Sequence, residues 1–186
     1  MPWLILGLGN PGDRYRDTRH NLGFRVVAEF ARRRGLEFTR RECETLLAED
    51  AFCVLGMPQT YMNRSGYAAR CLVESRGWLP EKVLVVYDEV HLPLGKLRIR
   101  PSGSPAGHRG LESIVENLRT EKIARLRVGC GGAAGPPPGE GLADFVLAPF
   151  APEEIALAET SVQRAAEACA ALLAEGLEFA MSRFNG

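Results

Sequence analysis

Val83-Leu84-Val85-Val86-Tyr87 is an unbroken apolar run with no polar residue on either alternation. A strand that is apolar on both faces must be covered on both faces, which calls for a sheet with helices on either side. The rest of the chain supplies the other parts. Trp3–Leu8 is a second short apolar run, delivered into the turn residues Gly9-Asn10-Pro11-Gly12. Asp13–His20 reads as charged loop; then Leu22, Val26, Val27, Phe30 and Ala31 recur at helical spacing, and Gly35 ends that helix. Thr45–Leu55 predicts one or two strands, Ser65–Gly77 a helix, and Lys82–Tyr87 the buried strand. Lys96–Arg100 alternates as a half-buried strand with its basic side outward. A Pro/Gly/Ser loop over Pro101–Gly107 leads to a short helix around Leu111–Leu118, and Arg125–Cys130 alternates again. Gly131–Gly141 reads as a surface linker, Phe145-Val146-Leu147 as a last strand, and Pro152–Leu173 as a helix opened by Pro-Glu-Glu. The order predicts an α/β fold: a single domain over residues 1–186, with a twisted mixed β-sheet flanked by helices.

Charge narrows the function. The 186 residues balance at net zero, with 46% hydrophobic and 25% charged, which excludes a disordered chain. The balance is local, however. Residues 1–41 carry nine Arg/Lys against four Asp/Glu, and residues 93–127 eight against three. If these stretches converge, a neutral protein gains one positive face suited to phosphate. No apolar run is long enough to span a bilayer, so no membrane partner is expected. Pro2-Trp3-Leu4-Ile5-Leu6 follows the first residue without a basic leader, so a cytoplasmic location is expected. The five cysteines (Cys43, Cys53, Cys71, Cys130, Cys169) form no C-x-x-C pair and are expected to be buried, reduced thiols; neither a disulfide nor structural zinc is expected.

Gly7, Gly9 and Gly12 spell G-x-G-x-x-G after the first strand, a dinucleotide-binding pattern. That reading requires the third glycine to open a helix, so that the helix N-terminus meets a pyrophosphate. Here Pro11-Gly12 breaks the chain and polar loop follows to about Asn21. A strand-ending turn fits better than a nucleotide site.

Several strings, taken together, point elsewhere: Gly7-Leu8-Gly9-Asn10-Pro11-Gly12, Thr18-Arg19-His20-Asn21-Leu22-Gly23-Phe24, Thr60-Tyr61-Met62-Asn63-Arg64-Ser65-Gly66 and Tyr87-Asp88-Glu89. Leu92-Pro93-Leu94-Gly95-Lys96, Gly107-His108-Arg109-Gly110-Leu111 and Arg125-Leu126-Arg127-Val128-Gly129 continue the series. In order and spacing, from residue 4 to about 150, these resemble the bacterial peptidyl-tRNA hydrolase family. The resemblance implies hydrolysis of the ester joining an N-blocked peptide to tRNA, by water, without a cofactor or metal. It implies a peptidyl-tRNA partner and a protein that works as a monomer. A binding-module alternative exists, because chloroplast relatives of this family act in RNA splicing.

The residue chemistry agrees with hydrolysis. Ester hydrolysis at neutral pH needs water activated by a base that titrates near 7, and histidine is the natural candidate. His20 precedes a helix and lies near the strand-end turn. Asp88 stands at the C-terminal end of the buried strand, where α/β sheets place their sites, and a carboxylate there can orient an imidazole. Glu89 is the less favoured partner. There is no G-x-S-x-G elbow, so water is expected to attack directly. Asn10 and Asn63 have amides able to donate to a developing oxyanion or to a peptide main chain. The resemblance implies that Tyr15 and Met62 wall the substrate cleft, and that Arg98, Arg100 and Arg127 face tRNA phosphate. The chain departs from the family at Arg109, where asparagine is usual, so this residue is expected to contact substrate as a cation instead. It departs again at Ser102-Gly103-Ser104-Pro105, which replaces a run of glycines, and after Gly129, where Cys130-Gly131-Gly132-Ala133 lacks the polar residue often seen there.

Overall fold

The computed structural model describes residues 1–139 and 141–186. Along the chain run β1 (Trp3–Gly7), α1 (Leu22–Arg34), β2 (Arg40–Glu42), β3 (Thr45–Glu49), β4 (Cys53–Pro58) and α2 (Ser65–Arg76). They are followed by β5 (Val83–Pro93), β6 (Leu97–Arg100), α3 (Arg109–Leu118), β7 (Ala124–Gly131), α4 (Gly141–Val146), α5 (Ile155–Glu175) and α6 (Leu177–Phe184). The strands form one mixed sheet in the order β2-β3-β4-β1-β5-β7-β6. Its centre, β4-β1-β5-β7, is parallel, while β3 and β6 pair antiparallel with their neighbours toward the two edges. This is the single α/β domain that the apolar run Val83–Tyr87 implied.

The alternation inside that run builds two cores. Leu84 and Val86 face one layer with Ile5, Val26, Phe30, Leu126 and Val162, beneath α1 and α5. Val83, Val85 and Tyr87 face the other with Leu4, Leu6, Leu72, Leu111 and Ile114, beneath α2 and α3. Fully burying each aliphatic side chain is worth about 1.5–3 kcal/mol, so the central strands anchor the fold. The segments after β1 and β4, the middle of β5 and the loop between β6 and α3 meet at one edge of the sheet.

The glycine pattern finds its cause in packing. A Cβ on Gly7 would lie 2.2 Å from the carbonyl oxygen of Gly23, and one on Gly23 would lie 2.3 Å from that of Val86. The start of α1 therefore presses directly on the end of β1 and on the first half of β5. Gly12 is a turn residue at φ 99° with open space beside it. These glycines let the segment carrying His20 sit close to the strand that carries Asp88.

The structure corrects three readings. Phe145–Val146 belongs to the short helix α4, not to a strand; a three-residue apolar string cannot distinguish the two. Gly131 closes β7 instead of starting the linker, within which residue 140 lies outside the described residues. Cys43 and Cys71 are joined in a disulfide, with Cα atoms 5.6 Å apart. Their separation of 28 residues carries no motif; the pairing arises because the β2–β3 turn folds against the outer face of α2. Cys53, Cys130 and Cys169 are buried free thiols, as expected. Burial pushes the thiols of Cys53 and Cys169 up to about 12, which keeps them protonated and inert.

Candidate active site

A cleft of about 590 Å³ opens at the C-terminal edge of the parallel strands. Asp88 lies at its base and is 1% exposed. Its Oδ2 lies 2.7 Å from Nδ1 of His20 and its Oδ1 lies 2.9 Å from Nε2 of His108. Burial alone would raise the carboxyl's pKa, but the two imidazoles outweigh it and hold the group far below the usual range. Asp88 is therefore a fixed anion.

His20 sits in a 3-10 turn, Arg19–Asn21, directly before α1. Burial pulls its pKa down, yet the charge and hydrogen bond of Asp88 overcome this and lift it above its ordinary 6.5; Arg109 opposes the rise. With Nδ1–H donating to Asp88, Nε2 keeps its lone pair. His108 caps α3, where its Nδ1 accepts from the Leu111 N–H at 3.2 Å, so its Nε2–H is the donor to Asp88. Donor atoms of His20, Asp88 and His108 lie within 4.8 Å of one another and are the sole candidate metal cluster among the described residues. Each Asp88 oxygen already meets an imidazole nitrogen, so the trio is arranged as a hydrogen-bonded relay, not as ligands turned toward a common point.

Asn10 is held from three sides. Its N–H donates to Asn21 Oδ1 at 2.8 Å, its carbonyl accepts from Asn21 Nδ2 at 2.9 Å, and its Oδ1 accepts from the Met62 N–H at 2.7 Å. With the oxygen committed, the amide N–H₂ is what remains to offer the cleft. Met62 is buried in the wall, and Asn63 is exposed beside it in a 3-10 turn, Met62–Arg64. No serine, threonine, cysteine or lysine is among the described residues lining the cleft. The remaining wall is apolar and comes from Val90 and from Leu142, Ala143, Val146 and Leu147 in and just after α4.

Asn10, His20, Met62, Asn63, Asp88 and Arg109 thus meet in one cleft. Tyr15 does not line it; its ring stands edge-on to Tyr61 at 6.4 Å, one residue from Met62. Arg98 and Arg127 are paired across β6 and β7 and line a smaller adjoining hollow of about 210 Å³ with Glu89, His91, Leu92 and Ala106. Their Nε atoms are buried without hydrogen-bond partners. Arg100 pairs in register with Arg125 further along the same ladder. Arg125 itself is fully buried and donates to the carbonyls of Ser104, Glu121 and Ile123, so the outward alternation expected for this strand does not extend to it. Sequence reasoning missed His108 and Asn21. Both stood inside quoted strings, and only the folded loops reveal their partners.

The whole chain can now be set against known proteins. The peptidyl-tRNA hydrolase family model matches residues 4–186. The chain belongs to the peptidyl-tRNA hydrolase family. It is 47% identical over 189 residues to the peptidyl-tRNA hydrolase of Chloroflexus aurantiacus, covering 98% of each chain. It is 44% identical over 183 residues to that of Methylacidiphilum infernorum, covering 98% of this chain and 97% of the relative. Its fold matches the crystal structure of peptidyl-tRNA hydrolase from Acinetobacter baumannii at a TM-score of 0.92 and 30% identity, over 100% of this chain and 95% of that one. The family's α/β domain is the fold described above, and among the described residues no helix is long and apolar enough to cross a membrane.

Proposed function

We propose that this chain hydrolyses the ester between an N-blocked peptide and the terminal ribose of tRNA, using water activated by His20. The observation that carries this reading is the bonded pair of His20 and Asp88 at the base of a cleft whose described lining offers no hydroxyl, thiol or amine nucleophile. His20 Nε2 takes a proton from water as the oxygen attacks the ester carbonyl. Asp88 stabilises the imidazolium that forms. The amides of Asn10 and Asn63 donate to the oxyanion. When the tetrahedral intermediate collapses, the carbon–oxygen bond to the ribose breaks and His20 returns its proton to the departing hydroxyl. The products are the free acid of the peptide and tRNA.

The apolar half of the cleft suits the peptide, with Met62 against it and Tyr15 standing behind Tyr61. Arg98, Arg100 and Arg127 form the phosphate-facing strip, a ladder of cations on the face that also carries α3. Arg109, at the mouth, contacts substrate. The reading extends to one functional unit over residues 1–186, working in the cytoplasm as a monomer. The deciding assay follows release of tRNA from N-acetyl-aminoacyl-tRNA beside the unblocked aminoacyl-tRNA. Turnover of the blocked substrate, with little of the free-amine one, is the expected result. Tight tRNA binding without any turnover would make the chain an RNA-binding relative instead.

A further inference from the structure

Arg19 is 6% exposed, and its charge serves no part of the chemistry above. Its backbone N–H donates to the carbonyl of Ala148 at 3.1 Å, and Thr18 bridges Pro149 in antiparallel fashion. Its Nη1 donates to the Pro149 carbonyl at 2.8 Å and its Nη2 to Glu154 Oε2 at 2.7 Å. The guanidinium carbon stands 4.2 Å from the centre of the Phe145 ring and 5.0 Å from that of Phe150. Glu154 Oε2 also accepts from the Ala151 N–H at 3.0 Å, which fixes the turn that opens α5.

One side chain therefore gathers α4, the segment 148–151 and the start of α5. The helix it holds needs holding. At six residues α4 is too short to be stable alone, and none of its residues is fully buried. Yet Leu142, Ala143 and Val146 from α4 form a wall of the cleft. The residue next to Arg19 is His20, in the same 3-10 turn.

We propose that Arg19 is a positioning residue, which locks the catalytic histidine's turn and the α4 wall of the cleft into one rigid unit. This rests on the hydrolase reading for its kinetics, but the geometry stands apart from it. A misplacement of about 1 Å can cost on the order of 100-fold in rate, and the link from Arg19 to the imidazole is a single peptide unit. Because α4 lines the apolar half of the cleft, the same lock makes the position of His20 sensitive to how the acyl group fills that half.

The test uses Arg19→Lys, which keeps the charge but loses the flat, multiply donating head, and Phe145→Leu, which removes one of the stacked rings. Steady-state hydrolysis of N-acetyl-aminoacyl-tRNA is measured as kcat and KM, with the His20 imidazole titrated by NMR in each variant. Arg19→Lys is expected to lower kcat by about 10- to 100-fold with KM changed less than about twofold. The His20 midpoint should fall, because a loosened Asp88 contact raises it less. Phe145→Leu should shift both in the same sense, by less. A purely structural role would lower melting temperature and active fraction but leave the His20 titration of the folded protein in place, and that result overturns the proposal. So does an unchanged kcat in Arg19→Lys. The titration needs no turnover, so if the wild-type chain failed to hydrolyse, the function would fall and the positioning claim would still be judged.

Discussion

His108 Nε2 occupies the one oxygen of Asp88 that His20 leaves free, at 2.9 Å. The carboxylate is thereby clamped from both sides, and His108 is itself oriented by the N–H of Leu111. Removing it should let Asp88 rotate and admit water. His108→Ala is expected to lower kcat by roughly 10-fold, with tRNA affinity retained, since a lost orienting hydrogen bond is worth about 1–2 kcal/mol. Asp88→Asn should cost more than this, because it removes the charge and replaces one of the two accepting oxygens with an NH₂ that faces an imidazole N–H. Full activity in His108→Ala would show that the clamp on Asp88 is dispensable.

Arg109 pulls the His20 pKa down while Asp88 lifts it. The base works in its neutral form, so activity rises as pH climbs through the His20 midpoint, which lies above 6.5. Taking away a nearby cation makes protonation easier. Arg109→Ala should therefore move the acidic limb of the kcat/KM profile to higher pH. A limb that stays in place, or moves lower, would remove Arg109 from the field at His20.

The strip of Arg98, Arg100 and Arg127 makes a prediction about salt. Binding of deacylated tRNA should weaken as salt rises, and each Arg→Ala change should reduce the slope of log affinity against log salt by roughly one. Slopes identical to wild type would place the tRNA backbone elsewhere.

The Cys43–Cys71 bond closes a span of 28 residues between the β2–β3 turn and α2. On chain entropy alone such a bond contributes about 3–4 kcal/mol. Denatured protein without reductant should show three reactive thiols, and five after reduction. Cys71→Ser should lower the melting temperature while leaving kcat within about twofold, because neither sulfur touches the cleft. Five free thiols from the outset would mean the bond does not form in solution.

Much of this architecture could be read from residue order, because the aliphatic run of β5 and the helical spacing of α1 each have one physical solution. Asp88 was legible because a carboxylate follows the aliphatic run directly, although β5 continues past it to Pro93 and Asp88 lies within the strand, not at its end. His108 was not, since a polar residue directly after Gly107 reads as turn until α3 is seen to start beside it. The helix α4 was misread because Phe145 owes its position to Arg19, a partner 126 residues away, and not to any local pattern. The disulfide was missed for a similar reason. Spacing reports on neighbours in sequence, while Cys43 and Cys71 become neighbours only when the hairpin lies against α2. In each case the tertiary contact overrode or supplied what the local signal lacked.

The central claim is that His20 activates water. Its most direct test is single-turnover release of tRNA from N-acetyl-aminoacyl-tRNA by His20→Ala, with tRNA affinity measured on the same preparation. Loss of a general base costs about 10²–10⁴ in rate, so hydrolysis should fall by that factor while tRNA binding stays within about twofold. Hydrolysis at the wild-type rate by His20→Ala would contradict the account.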